Sequence, residues 1–297
     1  MKTRDSKRFQ IFAHIVLILC AVAALFPFLL LIVSSLTNEA DIIRNGYSLF
    51  PKKLSLAAYE YIWGQKSQIF RAYAVTMTVT IAGTIVGVLM TVLYAYGISR
   101  KDLPGRKFLS FFLFFTMLFN GGLVPTYLMY TEYFHMKNTL AALIVPNLLF
   151  NAFNVILVRT YLQGNIPDAL IESARIDGAS ETTIMWKIVM PLAKPIIATI
   201  SLFVAVAYWN DWMNGLYYIS KPELYSIQSL LNNMMKNIEY LSNNPTAAGN
   251  ISGQIANMPR KTISMAIAVV GMLPILVVYP FIQKNFVKGI AIGAVKG

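Results

Sequence analysis

The stretch DALIESARIDGASETTIMWKIVMPLAKP, Asp168 to Pro195, lies between two long apolar runs. It carries Asp168, Glu172, Arg175, Asp177, Glu181, Lys187 and Lys194, so it cannot sit in hydrocarbon. Yet it is patterned. At a period of 3.6, Asp168 to Ile176 reads as one short helix: Glu172 shares a face with Ala169 and Arg175, and Pro167 suits the first turn. Asp177-Gly178-Ala179 breaks it, because glycine tolerates the left-handed turn that ends a helix. Ser180 is an N-cap candidate for a second helix running to about Val189. Pro191 and Pro195 lead into the next apolar run. The expected object is a helix–turn–helix lying across a membrane surface. It is either an amphipathic connector resting on headgroups or a lever that fits a groove on a soluble partner. For the second role it offers small residues for close approach: Ser173, Ala174, Gly178 and Ala179.

Composition sets the surroundings of this stretch. Of the 297 residues, 57% are hydrophobic and only 13% charged. A soluble domain would carry about 25% charged residues. The fold class is therefore an all-α integral membrane protein. A single cysteine, Cys20, excludes an intrachain disulfide framework and any multi-cysteine metal site. The net charge of +12 does not point to nucleic acid. Its charges flank apolar runs, as orientation against anionic lipid and the insertion machinery requires.

A spanning helix needs about 20 apolar residues. Six candidates meet this: Ile11–Ser35, Ala72–Ile98, Phe108–Tyr130, Leu140–Leu162, Leu192–Ile219 and Ile263–Ile282. Lys2, Arg4, Lys7 and Arg8 precede the first. Arg100, Lys101, Arg106 and Lys107 follow the second, and Lys284, Lys288 and Lys296 follow the last. The positive-inside rule then places both termini, the Ser99–Lys107 loop and the quoted stretch in the cytoplasm. Residues 1–10 form a cytoplasmic N-terminus, and residues 11–297 a single transmembrane domain. Its inner loop is 164–191, and its outer loops are 37–71 and 220–261. The first run exceeds the 7–15 residues of a signal core, so it is expected to remain as a helix. The outer loops contain LFPKKLSLAAYEYIW and SIQSLLNNMMKNIEYL, which read as short helices. These are interfacial helices with aromatic anchors, or a docking surface for an external partner.

The pattern E-S-A-x-x-D-G-A (Glu172 to Ala179), followed by Ile188 and Pro191, resembles the EAA loop of permease subunits of binding-protein-dependent ABC importers. Ser173 stands where that family usually has alanine, and Met190 where it has leucine. FNGGLVPTYLMY (Phe119–Tyr130), YWNDW (Tyr208–Trp212) and KNFVKGIAIGAVKG (Lys284–Gly297) are similar to the branch that imports larger oligosaccharides. The resemblance implies a type I importer permease. Glu172, Ser173, Ala174, Asp177, Gly178, Ala179, Ile188 and Pro191 would then form the contact with a separate ATPase subunit. Glu172 would pair with a basic residue of that ATPase, and the tail beyond Lys284 would reach toward the ATPase dimer. The implied partners are a second permease, two cytoplasmic ATPases that use ATP and magnesium, an extracellular solute-binding lipoprotein, and an oligosaccharide. No cofactor is expected on this chain, which lacks a phosphate-binding G-x-x-x-x-G-K-[ST].

Polar residues inside the spans are candidates for the substrate path, because such groups usually face a bundle interior or water. Trp209, Asn210, Asp211 and Trp212 combine aromatic faces with amide and carboxylate groups. Asn147, Asn151 and Asn154 fall at i, i+4 and i+7 on one face of the fourth candidate span. For both sets helix packing is the competing reading. A secondary transporter would need coupling carboxylates at the midplane and usually an internal repeat, and Asp211 alone is thin support. A membrane enzyme would need convergent nucleophile or metal groups, which the sequence lacks. Amino-acid or phosphate importers share the loop and differ in cargo.

Overall fold

The computed structural model describes residues 4–243 and 259–294. Among them the structure is helical, with one isolated bridge between Thr37 and Leu54. The chain forms two compact units, residues 1–67 with 231–274 and residues 68–230 with 275–297.

In the first unit, Arg4–Ser35 is a single helix whose apolar residues, Leu17, Leu19 and Leu25 among them, are exposed. A helix apolar all round is one that lipid or another subunit covers. Two short helices follow, Glu39–Asn45 and Ala57–Gly64. The side chain of Asn38 caps the first by accepting from the Ala40 N–H at 3.0 Å. Glu39 reaches across the unit to the start of the last helix. Its carboxylate accepts the backbone N–H of Lys261 (3.1 Å) and Thr262 (2.9 Å) and the Thr262 hydroxyl (2.7 Å). Those N–H groups would otherwise lack partners, and a negative charge suits a helix N-terminus. The sixth candidate span lies within this last helix, Arg260–Ala294.

The second unit is built on the helix Lys66–Ser99. Its buried residues Ala72, Thr76, Val79, Gly83, Gly87, Thr91, Ala95 and Ile98 recur every three or four positions and mark one face. A Cβ on Gly83 would lie 2.3 Å from the Tyr208 ring, and one on Gly87 would lie 3.0 Å from the Leu149 carbonyl oxygen. The two glycines, four residues apart, let a ring and a backbone approach this helix more closely than any side chain permits.

Three of the six expected spans are not single helices. The third breaks into Arg106–Leu118 and Leu123–Tyr133, bent by 115°. At the break the Asn120 side chain accepts the Gly122 N–H at 2.8 Å, and Gly122 takes φ +86°. The fourth has only Ala141–Ile144 and Ala152–Asn165 as α-helix. Pro146 offers no N–H and disfavours helix before it, and Asn147 adopts φ +61°. The fifth stops at Asn210 and resumes at Met213–Tyr218. Among the described residues three helices are long and apolar enough to span, Phe9–Ser35, Lys66–Ser99 and Arg260–Val277. Each of the bent pairs Arg106–Leu118 with Leu123–Tyr133 and Glu181–Leu192 with Lys194–Asn210 passes the same test as a pair.

Gly83→Ala is expected to destabilise the chain by about 1–3 kcal/mol through overpacking. The Tyr208 ring is only 2% exposed and its hydroxyl is bonded, so it cannot swing aside. Thermal unfolding of the purified chain in detergent should show a lowered midpoint for Gly83→Ala and little change for Gly64→Ala, whose site is open.

Candidate functional site

The polar hairpin forms as its residues dictate. The first helix runs Asp168–Ile176, with Pro167 one residue before it in extended conformation. Its end is closed by the Asp177 N–H to the Ser173 carbonyl (3.0 Å), the Gly178 N–H to Arg175 (3.0 Å) and the Ala179 N–H to Ala174 (2.9 Å). Gly178 takes φ +80°, with open space around its Cα. The Ser180 hydroxyl accepts the Thr183 N–H at 3.3 Å and starts Glu181–Ile184, which widens into a π-turn at Met185–Val189.

Burial divides the predicted contact residues. Glu172, Ser173, Asp177, Gly178 and Pro191 are exposed. Ala174 is buried and Ala179 and Ile188 are half-buried, packed in or against the core of the unit. The expected patch of four small residues is therefore reduced to Ser173 and Gly178, because Ala174, Ile171, Ile184 and Met185 supply the apolar face that anchors the hairpin. What the outer face presents instead is apolar: Ile176 is 87% exposed and Trp186 51%.

A polar network ties the hairpin to the loop after Ser99. Arg175 donates from Nε to Glu181 Oε1 (2.7 Å) and from Nη1 to Asp102 Oδ2 (2.7 Å). Arg100 Nε donates to Asp102 Oδ1 (3.1 Å). The Tyr96 hydroxyl donates to Glu181 Oε2 (3.0 Å), and Lys101 Nζ pairs with Asp168 Oδ2 (2.7 Å). Hydrogen bonds from Arg100 and then Arg175 hold the Asp102 carboxyl well below the usual carboxylate range. Burial pushes Glu181 up, but the bonds from Arg175 and Tyr96 outweigh it and leave its carboxyl lowered. Sequence reading placed Arg175 and Glu181 in the stretch and missed their partners, since a contact between residues 102 and 175 leaves no local signal.

The two candidate path sets are both rearranged. Asp211 is not within a helix. Its carboxylate accepts the N–H of Met213 (3.1 Å) and Asn214 (3.3 Å) and starts the next short helix. Trp209 is buried, with its ring 6.4 Å from that of Tyr73 and its indole N–H unpartnered. Asn210 and Trp212 are exposed. The asparagines do not form a stripe. Asn147 sits in the left-handed break, Asn151 caps Ala152–Asn165 by accepting the Asn154 N–H (3.2 Å), and only Asn154 is inside a helix, buried. A helical stripe requires one unbroken helix, and Pro146 removes it.

Two residues missed by sequence reading hold this break together. Tyr208 donates its hydroxyl to the Ile144 carbonyl (2.8 Å), and the buried Asn214 donates its amide to the Pro146 carbonyl (3.0 Å). The signals were present: Pro146-Asn147 is a turn pair, and Asn214 is an amide in an apolar run. Among the described residues no three His, Cys, Asp or Glu side chains converge to hold a metal. The half-buried Arg159 has an Nε without a hydrogen-bond partner. Of the tail, Lys284 to Ala294 continue the last helix, and 295–297 lie outside the described residues.

Apolar helices, broken spans and a polar hairpin packed on their core are the architecture of a membrane-embedded protein. Residues 104–292 match the family described as the binding-protein-dependent transport system inner membrane component, and the chain belongs to it. It is a multi-pass membrane protein. The chain is 39% identical over 292 residues to the polygalacturonan/rhamnogalacturonan transport system permease protein YtcP of Bacillus subtilis (strain 168), covering 98% of this chain and 99% of that one. It is 26% identical over 298 residues to the melibiose/raffinose/stachyose import permease protein MelC of the same organism, covering 100% and 99%. Among solved structures it is similar to a chain of a bacterial ABC transporter involved in the import of the acidic polysaccharide alginate. There the TM-score is 0.79 at 28% identity, over 96% of this chain and 99% of that one. The chain thus has the type I importer permease fold.

Gly178→Val places a β-branched residue at positive φ, at a cost of about 1–2 kcal/mol. Hydrogen exchange at the Asp177–Ala179 amides should rise by roughly 5–30-fold, and Gly178→Asn should give a smaller rise. For Asp102 and Glu181 the folded pKa is lowered, so their contribution is complete above ordinary carboxylate values of about 4 and is lost as pH falls through the lowered ones. Exchange in the hairpin, corrected for intrinsic rates, should therefore stay flat between about pH 8 and pH 5.

Proposed function

We propose that this chain is one of two permease subunits of an ATP-driven importer and lines half of the path for an oligosaccharide. The chain crosses the membrane six times as a single permease domain, with both termini and the hairpin in the cytoplasm. The hairpin docks on one of two separate ATPase subunits, which bind ATP and magnesium and carry out the hydrolysis. Glu172, Asp177 and the exposed Ile176 provide the contact, and an extracellular solute-binding lipoprotein delivers cargo on the other side. The observation that carries this reading is the hairpin itself: an exposed Ile176 and Trp186 on a charged element call for a covering partner.

Closure of the ATPases moves the hairpin, and the bundle passes between inward-facing and outward-facing arrangements. Nucleotide biases one arrangement and the loaded binding protein the other. The broken spans support a path at this depth, since irregular backbone is tolerated there only where protein buries it or water lines it. Asn210 and Trp212, exposed at one break, and Asn151, exposed at another, offer ring stacking and amide hydrogen bonds to a sugar. An oligosaccharide as cargo is supported by the substrates for which the relatives are named.

The tagged chain, purified from native membranes in mild detergent, is expected to bring a second permease, an ATPase and a solute-binding lipoprotein. A chain that emerges alone, stable and monodisperse, overturns the reading. With the complex in hand, Ile176→Asp should release the ATPase. Trp212→Ala should keep it bound and cut uptake of the transported sugar, identified from a panel of acidic and neutral oligosaccharides, about tenfold, the equivalent of about 1.4 kcal/mol.

A further inference from the structure

The hairpin is joined to its bundle by two peptide junctions, each a break in the helical run. Upstream, Ile166 and Pro167 are extended residues between two helices. Downstream, the chain bends by 80° at Ala193, between Glu181–Leu192 and Lys194–Asn210.

The polar network provides a different connection. Arg175, on the first helix of the hairpin, bridges Glu181 on the second helix and Asp102 on the neighbouring loop. Asp102 is also held by Arg100, and Glu181 by the Tyr96 hydroxyl. Tyr96 lies on Lys66–Ser99, a helix of 34 residues without proline. The same helix carries Gly83 and Gly87, where the Tyr208 ring and the Leu149 carbonyl are seated without slack. Those groups belong to the two broken spans that flank the proposed path. From Tyr96 to Gly87 and Gly83 is about 14 and 20 Å at 1.5 Å per residue.

We infer that Tyr96, Asp102 and Arg175 form a clamp through which displacement of the hairpin reaches the Lys66–Ser99 helix and, through Gly83 and Gly87, the broken spans. These are positioning residues; they touch neither sugar nor nucleotide. The inference rests on the reading that the hairpin docks on an ATPase. A packed chain of contacts is a route only if breaking it changes coupling, so the test must measure coupling itself.

The complete importer, reconstituted in proteoliposomes with its ATPases and binding protein, gives two readouts: sugar taken up per ATP hydrolysed, and ATPase retained on purification. Tyr96→Phe removes one hydroxyl and Asp102→Asn one charge. Each is expected to retain the ATPase and its hydrolysis while lowering uptake per ATP by about 3–10-fold, which corresponds to roughly 0.7–1.4 kcal/mol of lost coupling. The double variant should be lower still, and Lys107→Gln, in the first turn of the helix that follows this loop and outside the clamp, unchanged. Unchanged uptake per ATP in Tyr96→Phe and Asp102→Asn with the ATPase retained overturns the clamp. No ATPase on the wild-type complex overturns the docking reading instead.

A second measurement covers poor folding of a variant. In a Cys20→Ser background, spin labels at Lys187→Cys and Leu93→Cys report the distance between hairpin and helix. With the clamp intact the distance should hold between nucleotide-free and ATP-bound states. In Tyr96→Phe it should shift or broaden on ATP binding. A distance that changes equally with and without the clamp overturns the proposal.

Discussion

The structure depends on the satisfaction of two carbonyl groups. When a span breaks in a membrane, the freed backbone groups have no water to turn to, and each unpaired one costs several kcal/mol. At Val145–Asn151 the carbonyls of Ile144 and Pro146 are taken by Tyr208 and Asn214, which sit on either side of the next break, at Asn210–Trp212. One interruption is thus stabilised by residues flanking another. Gly83 and Gly87 complete the arrangement by leaving space for the ring and for the Leu149 carbonyl. Removing side-chain volume at two positions makes room for the ring and the carbonyl of two broken spans.

The hairpin was legible in the sequence nearly residue by residue, because each of its parts is local. A proline before the first turn, a glycine after the last and a serine cap three residues ahead of its bonded N–H act within one or two helical turns. Its exposed face was not legible. Ala174 and Ala179 look like a surface patch on a helical wheel, but the wheel does not say which side meets the core, and Ala174 meets it.

The spans show the opposite balance. Apolar content marked six runs, of which three are single long helices and two are bent pairs among the described residues; hydropathy averages over a window in which two or three residues of broken helix leave no trace. Asn120-Gly121-Gly122, Pro146-Asn147 and Asn210-Asp211 are each punctuation that a window smooths away. Asp211 is the instructive case. In an unbroken helix it is a buried charge awaiting a functional partner. In the broken one it is a cap, with two backbone N–H groups already bonded to it. The clamp was the least legible element, since it joins residues 73 or more apart through Tyr96–Glu181 and Asp102–Arg175.

The broken spans also set a limit on engineering. Most routes to a hardier protein regularise it: proline is removed from a helix, left-handed residues are replaced, helical runs are lengthened. Applied at Pro146, Asn147 or Gly122, those changes would straighten the segments that flank the proposed path. Heat resistance in such a chain is better sought in the first unit, at caps like Asn38 and Glu39, where order can be added without freezing the machine.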